Sequence, residues 1–586
     1  MRADTIGISG IIQRDTLLRI PYFQRRYVWE EKDWKRFAMD MESTLESTQK
    51  YFLGALILKE EQLTAQDRRS GIGRRFLVVD GQQRLTTLSI YMKVLHMLTN
   101  NSDEFAMQYL QKTDLQEPVL THNCEDMPAF NDIMHLDTLK EIKGANNIFK
   151  AYNYFREELK AAREKRGVVL NELLNTIKSS VTFVAIMLNQ EDDEQQIFDT
   201  INSLGVPLTT GELVKNFLYR AEDEENYKRT WKNVFDVDSE NEWWTQDRAK
   251  SRQAKDSKTS NIEIFFHAFV RIKMWDFKEL LTTEQRKNFV KASNVLSSCK
   301  AFVEEFGMTR QELAAEIIEY AKLFRRNFVM DILNEGIPSY SCINRIACIV
   351  NASKNNSVIP YVLYILRNVD SEAERNKIFG YVETYLIRRM LADSNNKSYS
   401  EFFAESLIEN RLLTVDVLKK FIESKNDDAN LAIPGNEKVK RNIMARNKSV
   451  DDTIACLLYY MYESKVRSNE DEKIQGFNDY RAEQFMPKPN KKNYSTWKRA
   501  TDNESEEERA MLTGTLGNYF LVSESGKKAL KATANSVFAD KLEVLKKYGG
   551  DINCNRTLND LVSWDEGKIN DRNMALASVM CKTFEI

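Results

Sequence analysis

Short apolar runs and helically spaced apolar residues alternate along the first two hundred residues. Tyr51 to Leu58 and Arg75 to Val79 are apolar runs of strand length, as is Val181 to Leu188. Trp34, Phe37, Ala38, Met41 and Leu45 fall on one face of a helix, and so do Leu85, Leu88, Met92 and Leu95. Ile6, Ile8 and Ile11 to Leu18 lead into Arg19-Ile20-Pro21, where proline favours an extended chain and predicts an exposed loop from Tyr22 to Trp29. A polar stretch over roughly 99 to 145 precedes helices expected around 146 to 178. Glu194 to Leu208 reads as a helix stopped at Leu204-Gly205, and a second helix starts at Thr209, where Thr209 and Glu212 are spaced as a capping box. From about 220 to 430 the helical period dominates. Its aromatic stripes, such as Phe265, Phe266 and Phe269 or Tyr381, Tyr385 and Met390, mean core packing, with His267 inside one of them as a hydrogen-bonded core residue.

One junction in this pattern carries chemistry. The apolar run Phe76 to Val79 turns at Asp80-Gly81 into the helix of Leu85 and Leu88. Gly81 allows a tight turn and leaves backbone N–H groups uncovered at a helix start, where an anion is received well, with Gln82, Gln83 and Arg84 adding polar side chains. The same residues also make an ordinary strand-to-helix connection, and the local pattern does not choose between the two.

Two segments taken together are more specific. Pro21, Phe23, Gln24, Arg25, Tyr27 and Trp29, followed by Asp80-Gly81-Gln82-Gln83-Arg84-Leu85-Thr86-Thr87-Leu88, resemble the N-terminal domain of the GmrSD-type modified-DNA restriction proteins, a family that includes phosphorothioate-sensing SspE-like proteins. The resemblance extends to Asn202 and to Leu213-Val214-Lys215-Asn216. It implies a ParB-like domain that binds and hydrolyses a nucleoside triphosphate, GTP or ATP, at Asp80, Gly81, Gln82, Gln83, Arg84 and Thr87, with Asn202 and Lys215 lining the site. For Asn202, capping and helix packing are an equal alternative. In the same family the loop takes part in sensing modified DNA, which here implies Tyr22, Gln24, Arg25, Arg26 and Tyr27.

Residues after about 430 resemble the family's HNH-type nuclease domain, which opens with Glu-His-x-x-Pro. This chain has Glu483-Gln484-Phe485-Met486-Pro487, then Leu516-Gly517-Asn518, Asn535 to Lys541, Trp564 and Arg572. The resemblance makes Glu483, Gln484, Asn518 and Lys541 the catalytic positions, and Glu483 and Asn535 the holders of a divalent metal, magnesium or manganese. HNH chemistry uses the histidine as general base on a water, a role glutamine cannot fill. No histidine follows His267 in the chain. The expectation is a domain that binds DNA but cuts it poorly or not at all, unless a carboxylate such as Glu483 takes over as base. The expected fold is therefore α+β and mostly helical: a ParB-like α/β domain over 1–220, a helical middle over 221–430 and an HNH-like, ββα-metal domain over 431–586.

Composition narrows the rest. With 586 residues, 42% hydrophobic and 29% charged, the chain is long enough for several globular domains. A net charge of −3 gives no bulk attraction to DNA, so any contact must come from local patches. Candidate patches are the loop Arg68-Arg69-Ser70-Gly71-Ile72-Gly73-Arg74-Arg75, the polar stretch Arg248 to Lys258, and Lys438, Lys440, Arg441, Arg446 and Lys448. Another is Lys488, Lys491, Lys492, Lys498 and Arg499 around Tyr494 and Trp497. A solvated face competes with contact at the Arg68 loop and at the Lys438 cluster, and a mobile loop at Arg248 to Lys258. Seven scattered cysteines without a Cys-x-x-Cys pair argue against a structural zinc site or a disulfide framework. No apolar run approaches the ~20 residues that span a bilayer, and no leader pattern opens the chain, which predicts a cytoplasmic protein without a membrane partner. The implied activity is that of a prokaryotic anti-phage protein of the type IV restriction class acting on modified DNA. The alternatives are a non-cutting sensor or adaptor working through a partner effector, and a triphosphatase that depletes nucleotide. Self-association stays open.

Overall fold

The computed structural model describes residues 2–22, 24–112, 116–123, 125–189, 208–219, 223–249, 258–289, 291–329, 331–337, 342–444, 449–468, 474–488, 494–497 and 506–586. The fold is α+β and mostly helical, and it divides into two compact units, Met1–Lys232 and Asn233–Ile586. Residues 233–430 of the expected helical middle and the whole expected C-terminal region fall within the second unit, while 221–232 belong to the first.

The first unit is built on a six-stranded mixed sheet in the order β1-β6-β3-β4-β2-β5. Its strands are β1 (Arg2–Gly7), β2 (Thr16–Arg19), β3 (Tyr51–Glu60), β4 (Arg74–Asp80), β5 (Leu120–Thr121) and β6 (Val181–Leu188). β3 runs antiparallel to β4 and parallel to β6, so the three apolar runs seen in the sequence form the sheet centre. β1 and β2 were hidden in the sequence because one is a mostly polar edge strand and the other is four residues long. β3 shifts register between Phe52 and Gly54, where Gly54 takes φ +135°.

The helix Gln82–Leu98 lies in the middle of this unit. Its spacing predicts one apolar face, but residues around its whole circumference are buried, including Gln83, Thr86, Thr87, Ser89, Lys93 and His96. Burial on every side is tolerated because Thr86 and Thr87 donate their hydroxyls to the carbonyls of Gln82 and Gln83, at 2.8 and 2.7 Å. Phe37, Tyr91 and Phe155 close the core with ring centroids 5.1 to 6.0 Å apart, joining this helix to Glu31–Ser43 and Asn147–Arg166. Thr209 caps Thr210–Leu218 with Glu212 in the expected reciprocal box, whereas the preceding Glu194 to Val206 lies outside the described residues.

The second unit packs helices around buried arginines. Arg345 meets Glu383 through both carboxylate oxygens, at 2.8 to 3.0 Å, and also reaches Ser464 and the Met461 carbonyl, joining three helices. Arg388 donates to the carbonyls of Pro434 and Phe584 and to Asn436. Arg248, expected in a DNA-facing or mobile stretch, is instead buried on Asn261, Asn351 and the Phe328 carbonyl; Lys250, Arg252 and Lys255 lie outside the described residues. Toward the end of the chain, β9 (Tyr480–Gln484) and β10 (Tyr519–Ser523) pair antiparallel under the helix Phe538–Gly549; β7 (Asp247–Ala249) and β8 (Lys258–Ser260) form a separate two-stranded ribbon. Among the described residues no helix is long and apolar enough to cross a membrane.

Removing one partner of a buried ion pair strands the other charge, so Glu383→Ala is expected to lose about 3–5 kcal/mol of stability. Denaturant unfolding followed by circular dichroism measures it, and a shift under 1 kcal/mol, on the order of a surface mutation, would contradict the role given to this pair.

Candidate functional site

The loop expected to sense DNA and the turn expected to bind nucleotide are one hydrogen-bonded assembly. A loop running over a buried helix has backbone groups with no sheet partner, and side-chain amides supply them here. Gln83 accepts from the Val28 N–H at 2.9 Å and donates to the Arg26 carbonyl at 3.0 Å. Gln82 donates to the Arg25 carbonyl at 3.3 Å. From the loop side, Gln24 donates to the carbonyls of Val78 and Val79, both at 2.9 Å, at the end of β4. Tyr27 turns inward, its hydroxyl 2.7 Å from Thr87 Oγ1 and accepting from Trp34 Nε1 at 2.9 Å; burial pushes its phenol well above the ordinary range. Tyr22 is buried against Tyr227, with ring centroids 4.8 Å apart. Of the five loop residues read as sensors, Arg25 and Arg26 are the ones left partly exposed, with Arg26 paired to Glu125 at 3.2 Å. Phe23 lies outside the described residues.

The turn itself is shaped by two glycines. Gly81 has φ +101°, and a Cβ there would meet Leu56 Cδ1 at 2.7 Å, so no other residue fits. A Cβ on Gly54 would lie 2.6 Å from Arg84 Nη1, so the missing side chain is what lets the Arg84 guanidinium lie across β3. Arg84 donates to Asp80 at 3.0 Å and keeps 27% of its side-chain surface, so it is neither sealed inside nor fully solvated. Its Nε is buried without an acceptor among the described residues, and no side chain caps the helix behind Gly81. An orphaned guanidinium donor beside an uncapped helix start fits an anion such as a phosphate. Thr87 is buried and committed to Tyr27 and Gln83, while Lys215 is buried with its ammonium 6.0 Å from the Tyr227 ring centre. Asn202 lies outside the described residues.

At the other end of the chain, the positions expected to cut DNA are internally satisfied. Gln484 donates to the Thr513 carbonyl at 2.5 Å and its own carbonyl accepts from Lys541 at 2.5 Å. Asn518 spends both ends of its amide: it accepts from Met486 N and Trp564 Nε1, and it donates to the carbonyls of Met486 and Thr513. Glu483 faces Lys541 at 3.6 Å and Arg481 at 3.4 Å. Burial pushes the Glu483 carboxyl up and the Lys541 ammonium down, each opposed by the other's charge. Asn535 is exposed in the turn before Phe538–Gly549. Among the described residues no three His, Cys, Asp or Glu side chains converge as metal ligands, and a Glu483 already facing Lys541 and Arg481 beside a spent Asn518 is a poor donor set for a divalent ion. Tyr494 and Trp497, the aromatic residues within that basic patch, are core residues; Trp497 packs on Phe485 and donates to the Ser536 carbonyl. Lys488, Lys438, Lys440 and Arg441 are exposed, whereas Lys491, Lys492, Lys498, Arg499, Arg446 and Lys448 lie outside the described residues.

The N-terminal domain of the GmrSD restriction endonucleases matches residues 8–219, and their C-terminal domain matches residues 433–579. The chain belongs to the GmrSD family. No curated protein matches it.

In this GmrSD chain, sequence reasoning missed the second half of the clamp. Asn123 donates to the carbonyls of Gln24 and Arg25 at 3.3 and 3.2 Å, and Asp126 accepts from the Tyr27 N–H at 2.6 Å. Burial raises the Asp126 carboxyl, against the pull of the Tyr27 N–H and Asn146. Glu125 bridges Arg26 to Lys232 at 2.9 Å. Their signal was the polar cluster His122-Asn123-Cys124-Glu125-Asp126, inside a stretch that reads as mere connection; Cys124 is outside the described residues. His122 is half-buried, packed on Phe130 and 3.0 Å from Thr86 Oγ1, and the loss of solvent pushes its imidazole down to about 3.

Gln83→Ala leaves the Val28 N–H and the Arg26 carbonyl unpaired, at about 1–3 kcal/mol for each buried group. Trypsin is expected to cleave after Arg25 or Arg26 roughly tenfold faster or more, since local opening governs such cutting. Wild-type cleavage kinetics would show that Gln83 does not hold the loop.

Proposed function

We propose that this chain is an anti-phage protein of the type IV restriction class, with a ParB-like N-terminal domain that binds and hydrolyses GTP or ATP at the Asp80–Arg84 turn. The loop from Tyr22 to Trp29 engages DNA, including modified phage DNA, and the HNH-like C-terminal domain is impaired by Gln484. One observation carries the coupling: the two motifs grip each other through Gln82 and Gln83. Arg84 and the uncapped helix start would hold the phosphates, with Lys215 on Thr210–Leu218 a further candidate and Asp80 setting the Arg84 guanidinium. The bound triphosphate supplies the free energy of its hydrolysis. The chain's own part is to register occupancy at Arg84 and pass it, through the helix carrying Gln82 and Gln83, to the peptide groups of the loop. Tyr22 on Tyr227 and Arg26–Glu125–Lys232 extend the path to the segment that leaves the first unit. The engagement of Glu483 with Lys541 favours a second reading, a non-cutting sensor or adaptor that works through a partner effector.

Calorimetry with GTP and ATP tests the first half: Arg84→Ala is expected to weaken binding about 10- to 100-fold, the worth of a charge-assisted hydrogen bond, and unchanged affinity removes the assignment. For the second half, plasmid DNA with magnesium or manganese and nucleotide is expected to stay intact with the chain as it stands. Nicking gained by Gln484→His then reports the missing base, while efficient cutting by the unaltered chain refutes the impairment.

A further inference from the structure

The arginine-rich segment between β3 and β4 sorts its cations into two classes. Arg75 is tied to Glu61 at 2.9 Å and Asp67 at 2.8 Å, and Arg74 donates to Gln13 at 2.6 Å and to Thr16 at 3.1 Å. Arg19, on the neighbouring strand, completes the Glu61 network. These side chains hold the start of β4 to β2; the charges of Arg75 and Arg19 are spent on Glu61 and Asp67, and the Arg74 guanidinium is held by neutral groups. Arg68 and Arg69 close the short helix Ala65–Arg69, are exposed, and have no ion-pair partner among the described residues.

Backbone contacts bring two further unpaired cations to the same rim. The Gly73 and Arg74 N–H groups donate to the Asp15 carbonyl at 2.7 and 3.1 Å, and the Lys112 N–H donates to the Arg14 carbonyl at 3.3 Å. A Cβ on Gly71 would lie 3.9 Å from Lys112 Cβ, which places the Arg68–Gly73 turn directly against Lys112. Lys112 is exposed, and the Arg14 Nε is buried without an acceptor. Asp15 and Glu117 are the carboxylates here without a cation partner among the described residues, so unpaired positive charge exceeds negative. The rim lies at the opposite end of β4 from the Asp80–Arg84 turn.

We propose that Arg68, Arg69, Lys112 and Arg14 form a docking rim for the phosphodiester backbone of duplex DNA. The inference rests on the reading that this chain engages DNA, and it names the surface. Three of the four cations are guanidinium groups, which match phosphate oxygens in fork geometry. The exposed Gly71 and Gly73 have no side chains to keep a backbone at a distance, and Ile72, the one large apolar residue from Ala65 to Arg74, is buried. A protein partner would be expected to meet an apolar centre, which the segment from Ala65 to Arg74 does not expose. Such contacts read no sequence; they fix position and register on the duplex, leaving discrimination to the loop around Arg25 and Arg26.

The test is fluorescence anisotropy of the full chain on an unmodified labelled duplex across roughly 50 to 200 mM salt. The combined variant Arg68→Ala/Arg69→Ala/Lys112→Ala is expected to bind at least about tenfold more weakly at low salt. The slope of log K against log salt should fall by about 2 to 3, close to one for each phosphate no longer neutralised. Its melting temperature and nucleotide affinity should match wild type, and the corresponding Arg→Lys variant should keep most of the slope. A triple variant with wild-type affinity and slope overturns the rim while leaving the DNA reading intact. A wild-type chain that binds nucleotide but no duplex overturns the DNA reading itself. Polyglutamate competing as well as duplex at equal charge overturns the choice of nucleic acid.

Discussion

The first unit depends on a demand that every buried peptide group find a partner. The segment from Gln24 to Val28 crosses the end of the sheet without joining it, so its N–H and C=O groups cannot be met by a strand. Gln82, Gln83, Asn123 and Asp126 meet them instead, two from the start of the central helix and two from a turn about a hundred residues away from the loop. This explains why consecutive glutamines follow Asp80-Gly81: an amide offers a donor and an acceptor on one rigid plane, and Gln83 uses both against a single stretch of backbone. The motif is therefore first a clamp, and any binding at Arg84 acts on a helix whose opening residues already hold the loop.

The same economy governs the C-terminal positions. Asn518 knits β10 to the segment after β9 and to Trp564, and Lys541 secures the Gln484 carbonyl. With Gln484 bound to Thr513, the frame that places these residues together is held with an amide at this position. Packing and chemistry are separable here, because the hydrogen bonds that keep the frame run from amides and from the Lys541 cation to backbone carbonyls and need no histidine at position 484.

How much of this was legible follows from the range of the forces involved. The central strands, the Gln82 helix, the Thr209 capping box and both family motifs were readable because each is written in a few adjacent residues. The partners of the loop were not, since Asn123 reaches Gln24 across a sequence separation of 99. Burial was misjudged where polar and apolar roles overlap. Arg248 reads as a solvated cation but fills a pocket of amides and a carbonyl, and Tyr494 and Trp497 sit among lysines in sequence yet inside the core in space. A local charge pattern says what a side chain carries, whereas its direction is decided by elements far along the chain.

The multiplicity of the clamp has a consequence for how the loop can respond. Four side chains hold neighbouring peptide groups, and releasing one leaves its neighbours fastened in the same register. Partial loosening gains little chain entropy while exposing unpaired groups, so intermediate positions are disfavoured. The segment is thus built as a latch, engaged or released as a whole, with no stable half-open position between.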